Sequence, residues 1–304
     1  HRRRHSSLHD ALPILVTLFA LAHLGAIAVP ISIREQAPGL AYMLSHCAAV
    51  MVVHEAELAH LLPSSTEAPD LKFRVAVSAC EGSETFANLI EDGEVPPVQE
   101  VAEEETAVIL YTSGTTGRPK GAMLTHLGIV HSSLHYKIAM GLNATDASIA
   151  AVPLSHVTGL IALITTLTLA AGKLVIMPSF KAADFLVLAE REGMTHTLMV
   201  PAMYNLCLLQ PDFEHTDLSH WRVGAYGGAP MPVASIEALS RTLPTLELMN
   251  CYGATETTSP ATMMPPGMTA MHNDTVGQPV VCAEIHVVDD EGQRVAPGEL
   301  GEIW

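Results

Sequence analysis

Positive charge is scarce in this 304-residue chain, where 15 lysines and arginines stand against 32 aspartates and glutamates for a net charge of −17. A duplex nucleic acid demands a basic face, so that balance argues against nucleic acid as a partner. Cysteine is also sparse. Cys47, Cys80, Cys207, Cys251 and Cys282 are widely spaced, odd in number and never form Cys-x-x-Cys. That usage fits a reduced, cytoplasmic compartment better than a disulfide framework. Histidines are present but lack metal-ligand spacing; His126, His131 and His135 step by five and four residues and read as a solvated helix. No apolar run is long and unbroken. The stretch from Ala11 to Ile33 is interrupted by Pro13, His23, Gly25 and Pro30, which excludes a spanning helix of ~20 apolar residues. The run at 159–171 contains Thr165, Thr166 and Thr168 and reads as a buried helix. Neither a Walker loop nor a Gly-x-Gly-x-x-Gly fingerprint occurs, and no internal repeat is visible.

What is present belongs to a globular protein, with 49% hydrophobic and 15% charged residues. The most informative stretch is residues 111–121, Tyr-Thr-Ser-Gly-Thr-Thr-Gly-Arg-Pro-Lys-Gly. Ala107-Val108-Ile109-Leu110 precedes it as a buried strand. Thr112, Ser113, Thr115 and Thr116 bring hydroxyls, Gly114 and Gly117 let the backbone approach closely, and Arg118 and Lys120 add positive charge. A strand opening into such a loop is suited to hold phosphate groups. An acidic chain that handles phosphates must also supply local positive charge or recruit a divalent cation.

Strand and helix patterns alternate. Strands are predicted at 48–53, 73–77, 106–111, 148–152, 174–177, 195–200, 222–226 and 246–251, with a further buried strand at 26–31. Helices are predicted at 14–25, 36–46, 83–91, 124–139, 157–171, 181–192, 201–210 and 232–242. Such alternation indicates an α/β fold, parallel sheets with helices on both faces. Residues 1–13, with the head His1-Arg2-Arg3-Arg4-His5, look foreign to the rest of the chain. The α/β core is expected over 14–256, with an acidic linker at 92–105 carrying Pro96-Pro97. A smaller β region is expected over 257–304, including a strand at 283–289 and a turn at Asp290-Glu291-Gly292.

Two further segments follow predicted strands. Residues 226–231 are Tyr-Gly-Gly-Ala-Pro-Met, whose small side chains leave room for a flat ring. Residues 250–256 are Asn-Cys-Tyr-Gly-Ala-Thr-Glu. There Tyr252 offers a stacking face, Thr255 a hydroxyl, and Glu256 a hard oxygen ligand suited to Mg²⁺. Loops after the strands of a parallel sheet collect at one edge, so all three segments are expected to converge.

Together, residues 111–123, 226–231 and 250–256 resemble the signature motifs of the AMP-forming acyl-adenylate synthetases, the superfamily of acyl-CoA synthetases, firefly-type luciferases and peptide-synthetase adenylation domains. Residues 153–159, Pro-Leu-Ser-His-Val-Thr-Gly, resemble the family's segment beside the acyl pocket, and residues 298–304 its late strand motif. The likeness runs from about residue 14 to 304. It implies the truncated large domain of an adenylate-forming enzyme, because the family's Thr-Gly-Asp motif, hinge and lysine-bearing C-terminal domain are not in this chain.

By position, the resemblance implies that Thr112, Ser113, Gly114, Thr115, Thr116, Gly117 and Lys120 hold the β- and γ-phosphates of ATP. Gly228, Ala229 and Pro230 would line the adenine site, Asn250 would offer its amide to the base, and Tyr252 would stack on it, with Gly253 in the same loop. Thr255 would touch the α-phosphate and Glu256 would hold Mg²⁺. His156 would border the carboxylate and acyl tunnel. Thr112, Lys120, His156, Thr255 and Glu256 are therefore the residues expected to carry catalysis. The implied reaction converts a carboxylic acid and ATP to acyl-AMP and pyrophosphate, then most commonly to a thioester with coenzyme A. Amino-acid-activating relatives place an aspartate in the segment matching 153–159; Ser155-His156 stand here instead, which favours a fatty or aryl acid. Two alternatives stay open: an acyl-AMP ligase or luciferase-like enzyme with another acceptor, and a catalytically silent nucleotide-binding module. Activity of this piece by itself is expected to be weak or absent.

Overall fold

A computed structural model describes residues 12–90, 93–113 and 117–304. The foreign-looking head, up to residue 11, and three residues of the proposed phosphate loop, Gly114, Thr115 and Thr116, lie outside the described residues. The helices are α1 (Leu12–His23), α2 (Ala37–His46), the one-turn α3 (Phe86–Leu89), α4 (His126–Ala139), α5 (Thr166–Ala170), α6 (Ala182–Glu192), α7 (Pro201–Leu208) and α8 (Val233–Thr242). The strands are β1 (Met51–His54), β2 (Phe73–Ala76), β3 (Glu84–Thr85), β4 (Thr106–Thr112), β5 (Lys120–Thr125), β6 (Ala147–Ala150), β7 (Lys173–Ile176), β8 (His196–Met199), β9 (Val223–Tyr226), β10 (Glu247–Tyr252), β11 (Thr262–Met263), β12 (Gln278–Pro279), β13 (Val287–Val288) and β14 (Glu302–Ile303). This is the α/β architecture that the alternating pattern implies.

The chain divides into two compact units. One takes residues up to His131 with Ala150–Thr165 and Leu174–Phe180; the other takes Ser132–Ile149, Thr166–Lys173 and Lys181–Trp304. In the first unit, β1, β2 and β3 form a small parallel sheet. Its apolar core joins Leu18 of α1, Ala107, Val108 and Leu110 of β4, and Leu124 of β5 to Val157, Leu160, Ile161 and Ile164. The last three lie in a π-helical segment, Thr158–Thr165, which precedes α5 where one continuous α-helix is predicted. The predicted strand at 26–31 reduces to one bridge between Ala28 and Val108, as Pro30 has no N–H to extend pairing. The predicted helix at 83–91 shortens to α3, because Glu84 and Thr85 pair with β2 instead.

β4 is not a member of the large parallel sheet. It pairs antiparallel with β5, with Thr112 opposite Lys120 and Tyr111 opposite Gly121. Residues 120–125, whose first part is predicted to be loop and whose last two residues are predicted to start a helix, are a strand. The hydroxyl-rich segment therefore connects the arms of a β-hairpin.

In the second unit β12, β11, β10, β9, β8 and most of β6 are neighbours in that order in one sheet. Pairing is parallel for β6–β8, β8–β9 and β9–β10, and antiparallel for β10–β11 and β11–β12. The central strands β6, β8 and β9 are buried at every position, as expected of parallel strands covered on both faces. Helix α6 buries Ala182, Phe185, Leu186 and Ala189, the i, i+3, i+4, i+7 stripe of a helix with one core-facing side. The predicted turn near the C-terminal end is present: the Gly292 N–H donates to Asp289 O at 3.0 Å, and β13 pairs antiparallel with β14.

A polar knot ties the amino ends of these strands together. The Asp146 carboxylate, 3% exposed, accepts from Arg222 Nη2 at 2.8 Å, from Thr195 Oγ1 at 2.7 Å and from the Asn143 N–H at 2.8 Å. Arg222 also donates to Met140 O at 2.7 Å. Burial alone would raise the Asp146 pKa; the Thr195, Asn143 and Arg222 donors outweigh it and hold the carboxyl below its ordinary value. A depressed carboxylate pKa contributes stability above the unfolded value of about 3.9, and that contribution disappears as pH falls through the lower folded value. Asp146→Asn should therefore cost about 2 kcal/mol at neutral pH. Its acid-unfolding curve below about pH 4 should be flatter than that of the wild type. Chemical denaturation at several pH values reads both; parallel wild-type and variant curves would dismiss the linkage.

Candidate active site

The sequence motifs fall in both units. In the first, Thr112 and Lys120 face each other at the ends of β4 and β5, with Ser113 and Gly117 outside the strands; Ser113, Gly117 and Lys120 are exposed, and Thr112 is half-buried. Helix α2 is bound to both stems. Tyr42 Oη donates to Pro119 O at 3.2 Å, and the Arg118 guanidinium carbon lies 5.8 Å from the centre of the Tyr42 ring, within cation–π range. On the other stem, Tyr111 Oη donates to Met43 O at 3.2 Å and lies 2.8 Å from His46 Nδ1. Burial, with Cys47 and Tyr42 nearby, pushes the Tyr111 hydroxyl up to about 12, so it remains a neutral donor at working pH. Sequence reasoning missed Tyr42 and His46. The available signal was their spacing of four on a predicted helix, which places both on one face.

His156 also belongs to the first unit. The Thr158 N–H donates to His156 Nδ1 at 3.3 Å, with Thr158 Oγ1 at 3.2 Å. The ring remains reachable by solvent, yet protein atoms crowded around it disfavour imidazolium and lower its pKa. A neutral imidazole that accepts at Nδ1 presents Nε2–H as a donor.

The second unit brings the other two motifs together. Strands β9 and β10 pair in register, with Tyr226 beside Asn250, so the segments leaving their carboxyl ends are neighbours. Gly228, Ala229 and Pro230 are exposed. Gly227 has no room for a side chain: a Cβ there would run into the carbonyl oxygen of Cys251. The small residue thus permits the close approach of the two motif-bearing strands. Asn250 is buried and commits one amide hydrogen to Thr275 O at 3.1 Å. Tyr252 is 39% exposed. Gly253 is exposed beside it, and Thr255 and Glu256 occupy a 3₁₀ turn, Thr255–Thr257. That turn is closed by the Ala254 N–H to Thr257 Oγ1 at 3.1 Å and by the Thr257 N–H to Ala254 O at 3.2 Å.

An exposed glutamate and an adjacent hydroxyl at a strand's carboxyl end are hard-oxygen donors. Among the described residues no cluster of three or more His, Cys, Asp or Glu could hold a metal by itself. One carboxylate fits Mg²⁺, which keeps most of its waters and completes its shell with substrate phosphates.

A family model for AMP-binding enzymes matches residues 8–304. The chain belongs to that family. It is 29% identical to a feruloyl-CoA synthase of Amycolatopsis over 95% of its own length and 56% of the relative's. It is 30% identical to an indoleacetate–CoA ligase of Aromatoleum aromaticum, over 97% and 58%. Among solved structures, the N-terminal domain of FACL13 from Mycobacterium tuberculosis superposes with a TM-score of 0.85 at 25% identity, covering 94% of this chain and 71% of that one. A long-chain-fatty-acid–CoA ligase of Archaeoglobus fulgidus gives 0.86 at 26%, covering 96% and 60%. The chain thus spans a little over half the length of the curated relatives it matches. Among the described residues no helix is long and apolar enough to cross a membrane.

Proposed function

We propose that the protein containing this chain activates a fatty or aryl carboxylic acid with ATP and passes the acyl group to coenzyme A. The observation that carries the reading is the in-register pairing of Tyr226 with Asn250. It sets an exposed Gly228-Ala229-Pro230 face next to a turn bearing Tyr252, Thr255 and Glu256. A flat base, a phosphate and a cation need these groups in adjacent places. The relatives support the acid class, being ligases for an aryl-propenoic, an indole and long-chain fatty acids by name.

In the proposed first step a carboxylate oxygen attacks the α-phosphorus of ATP. The bond to the bridging oxygen of pyrophosphate breaks, and its electron pair leaves with pyrophosphate. No protein nucleophile is required, so the residues act by positioning and by charge neutralisation. Gly228, Ala229 and Pro230 leave space for adenine, Tyr252 stacks on it, and the Asn250 amide reads its edge. Thr255 donates to the α-phosphate. Residues 112–120 donate to the departing β- and γ-phosphates, with Lys120 supplying charge; within that loop Gly114, Thr115 and Thr116 are assigned by sequence alone. Glu256 would hold Mg²⁺, which neutralises charge on the phosphate oxygens when bound. His156 offers Nε2–H to the carboxylate. In the second step the coenzyme A sulfur, as thiolate, attacks the acyl carbon and AMP departs.

Carboxylate-driven exchange of labelled pyrophosphate into ATP tests the first step, with ferulate, indoleacetate and long-chain fatty acids as trial substrates. Exchange with at least one acid is expected. ATP binding without exchange for any acid would favour a silent nucleotide-binding module. Product analysis for acyl-CoA against free acyl-AMP separates coenzyme A from other acceptors. Lys120→Ala should weaken ATP binding about ten-fold, the loss of one charge-assisted contact. Calorimetric titration with ATP measures it, and an unaltered dissociation constant would remove Lys120 from the site.

A further inference from the structure

Thr258 and Ser259 both adopt left-handed backbone, with φ of 60° and 40°. For a β-branched residue such as Thr258 this is a genuine outlier, and such conformations persist only where surrounding structure enforces them. Both residues are buried, at 7% and 9% exposure. The enforcing contacts are identifiable. The neck of the turn is closed by the Ala261 N–H to Tyr252 O at 2.8 Å, and Thr262 pairs with Tyr252. Inside it, the Thr258 N–H donates to Thr255 O at 3.0 Å. The two arms touch: a Cβ on Gly253 would lie 3.0 Å from Ser259 Oγ and 3.2 Å from Pro260 Cα. Glu256 sits exposed at the crest, with no hydrogen-bond or ion-pair partner among the described residues.

One side chain from far away in sequence reaches this turn from beneath. Tyr136 of α4, 1% exposed, places its hydroxyl 3.0 Å from Ser259 Oγ across a separation of 123 residues. Burial, with Cys251 close by, raises its hydroxyl pKa, so it is neutral at any working pH. A hydroxyl without a partner at such a site costs free energy. The bond to Ser259 satisfies it and fixes the arm that leaves Glu256.

We infer that Tyr136 is a positioning residue: through its bond to Ser259 it holds the strained turn that presents Glu256, and so sets how tightly the site takes a divalent cation with its nucleotide. The inference rests on the proposed role of Glu256 as the cation ligand. Tyr136 is 1% exposed and acts through Ser259. Its effect passes from the core to the carboxylate through two hydroxyls and one short backbone segment.

The test is the Mg²⁺ concentration that gives half-maximal pyrophosphate exchange in the full natural protein, at saturating ATP and acid, read beside the Mg²⁺ dependence of ATP binding measured by calorimetric titration without acid. Tyr136→Phe keeps the ring and removes the hydroxyl; Ser259→Ala removes the other end of the bond and serves even if the tyrosine variant folds poorly. Each should raise the half-saturating Mg²⁺ about five-fold, the scale of one net hydrogen bond, and leave the KM for the carboxylate unchanged. The double variant should be no worse than either single one, since the same bond is lost once. Loss of fold stability alone would lower active enzyme without moving the Mg²⁺ midpoint. If Glu256→Gln shifts the midpoint and Tyr136→Phe and Ser259→Ala do not, the positioning role is overturned while the site reading stands. If Glu256→Gln also leaves it in place, the site reading fails and takes this inference with it.

Discussion

Glu256→Ala should lower carboxylate-driven pyrophosphate exchange roughly 10²- to 10³-fold, the range observed when one preorganised electrostatic group is removed from a site where charge develops. The expectation follows from placement. Glu256 lies on an exposed turn at the end of β10, next to the Thr255 hydroxyl and shortly beyond the close-packed Gly253. It has no protein cation to neutralise it among the described residues, and no described acidic cluster offers a substitute ligand. A carboxylate so presented, in a chain already carrying a net charge of −17, repels a triphosphate unless a cation stands between them. The loss should be partly recovered by raising Mg²⁺, and Glu256→Gln should resemble alanine because a neutral amide oxygen is a poorer ligand for a hard cation. A magnesium titration on wild type and both variants decides the matter. Equal turnover across the whole titration would exclude Glu256 from cation binding.

Much of this architecture is legible in the sequence. The ends of the eight main predicted strands fall within three residues of those observed, and β6, β8 and β9 are buried at every position although Ser148, His196 and Thr197 are polar. The neighbouring positions of residues 226–231 and 250–256 are legible too, each following a strand of one parallel sheet. β5 is the exception, a strand where a loop and a helix start are predicted. Lys120-Gly121-Ala122-Met123-Leu124 runs directly into α4 and ends in an apolar stretch that carries no clear period of its own, so the hairpin partner of β4 is invisible to local pattern. The contacts that brace the site are illegible on principle. Tyr42 with Pro119, and Tyr136 with Ser259, lie 77 and 123 residues apart, and no propensity or spacing encodes such pairs. Tyr136 in sequence is one more aromatic on a mildly amphipathic helix; only its depth and its partner give it a role.

Trp221→Ala should be the most destabilising single truncation in the second unit. Trp221 is 1% exposed and is the largest fully buried side chain of the chain's described residues. Its indole stacks on Tyr204 at a centroid distance of 5.8 Å and meets the edge of Phe185 at 6.2 Å, while Nε1 donates to Val223 O at 2.9 Å. Tyr204 in turn donates from its hydroxyl to Ala225 O at 2.7 Å. One side chain therefore joins α6, α7 and β9, whose far end carries Gly227 and Gly228. Removing it deletes burial and leaves a cavity that two flanking rings cannot both fill, a cost of about 3–5 kcal/mol. For a unit of this size that corresponds to a fall in Tm on the order of 10 °C. Trp221→Phe should recover most of the packing but not the bond to Val223, and so fall between the two. The variants also sort structure from chemistry. Below its own Tm the alanine protein should bind ATP with an affinity close to that of the wild type, since Trp221 packs under the strands and not at their carboxyl ends. Thermal unfolding followed by circular dichroism, together with ATP titration at low temperature, gives both readings. A wild-type Tm would mean that the aromatic cluster is not the keystone of this core, and a normal Tm with lost ATP binding would move Trp221 into the site itself.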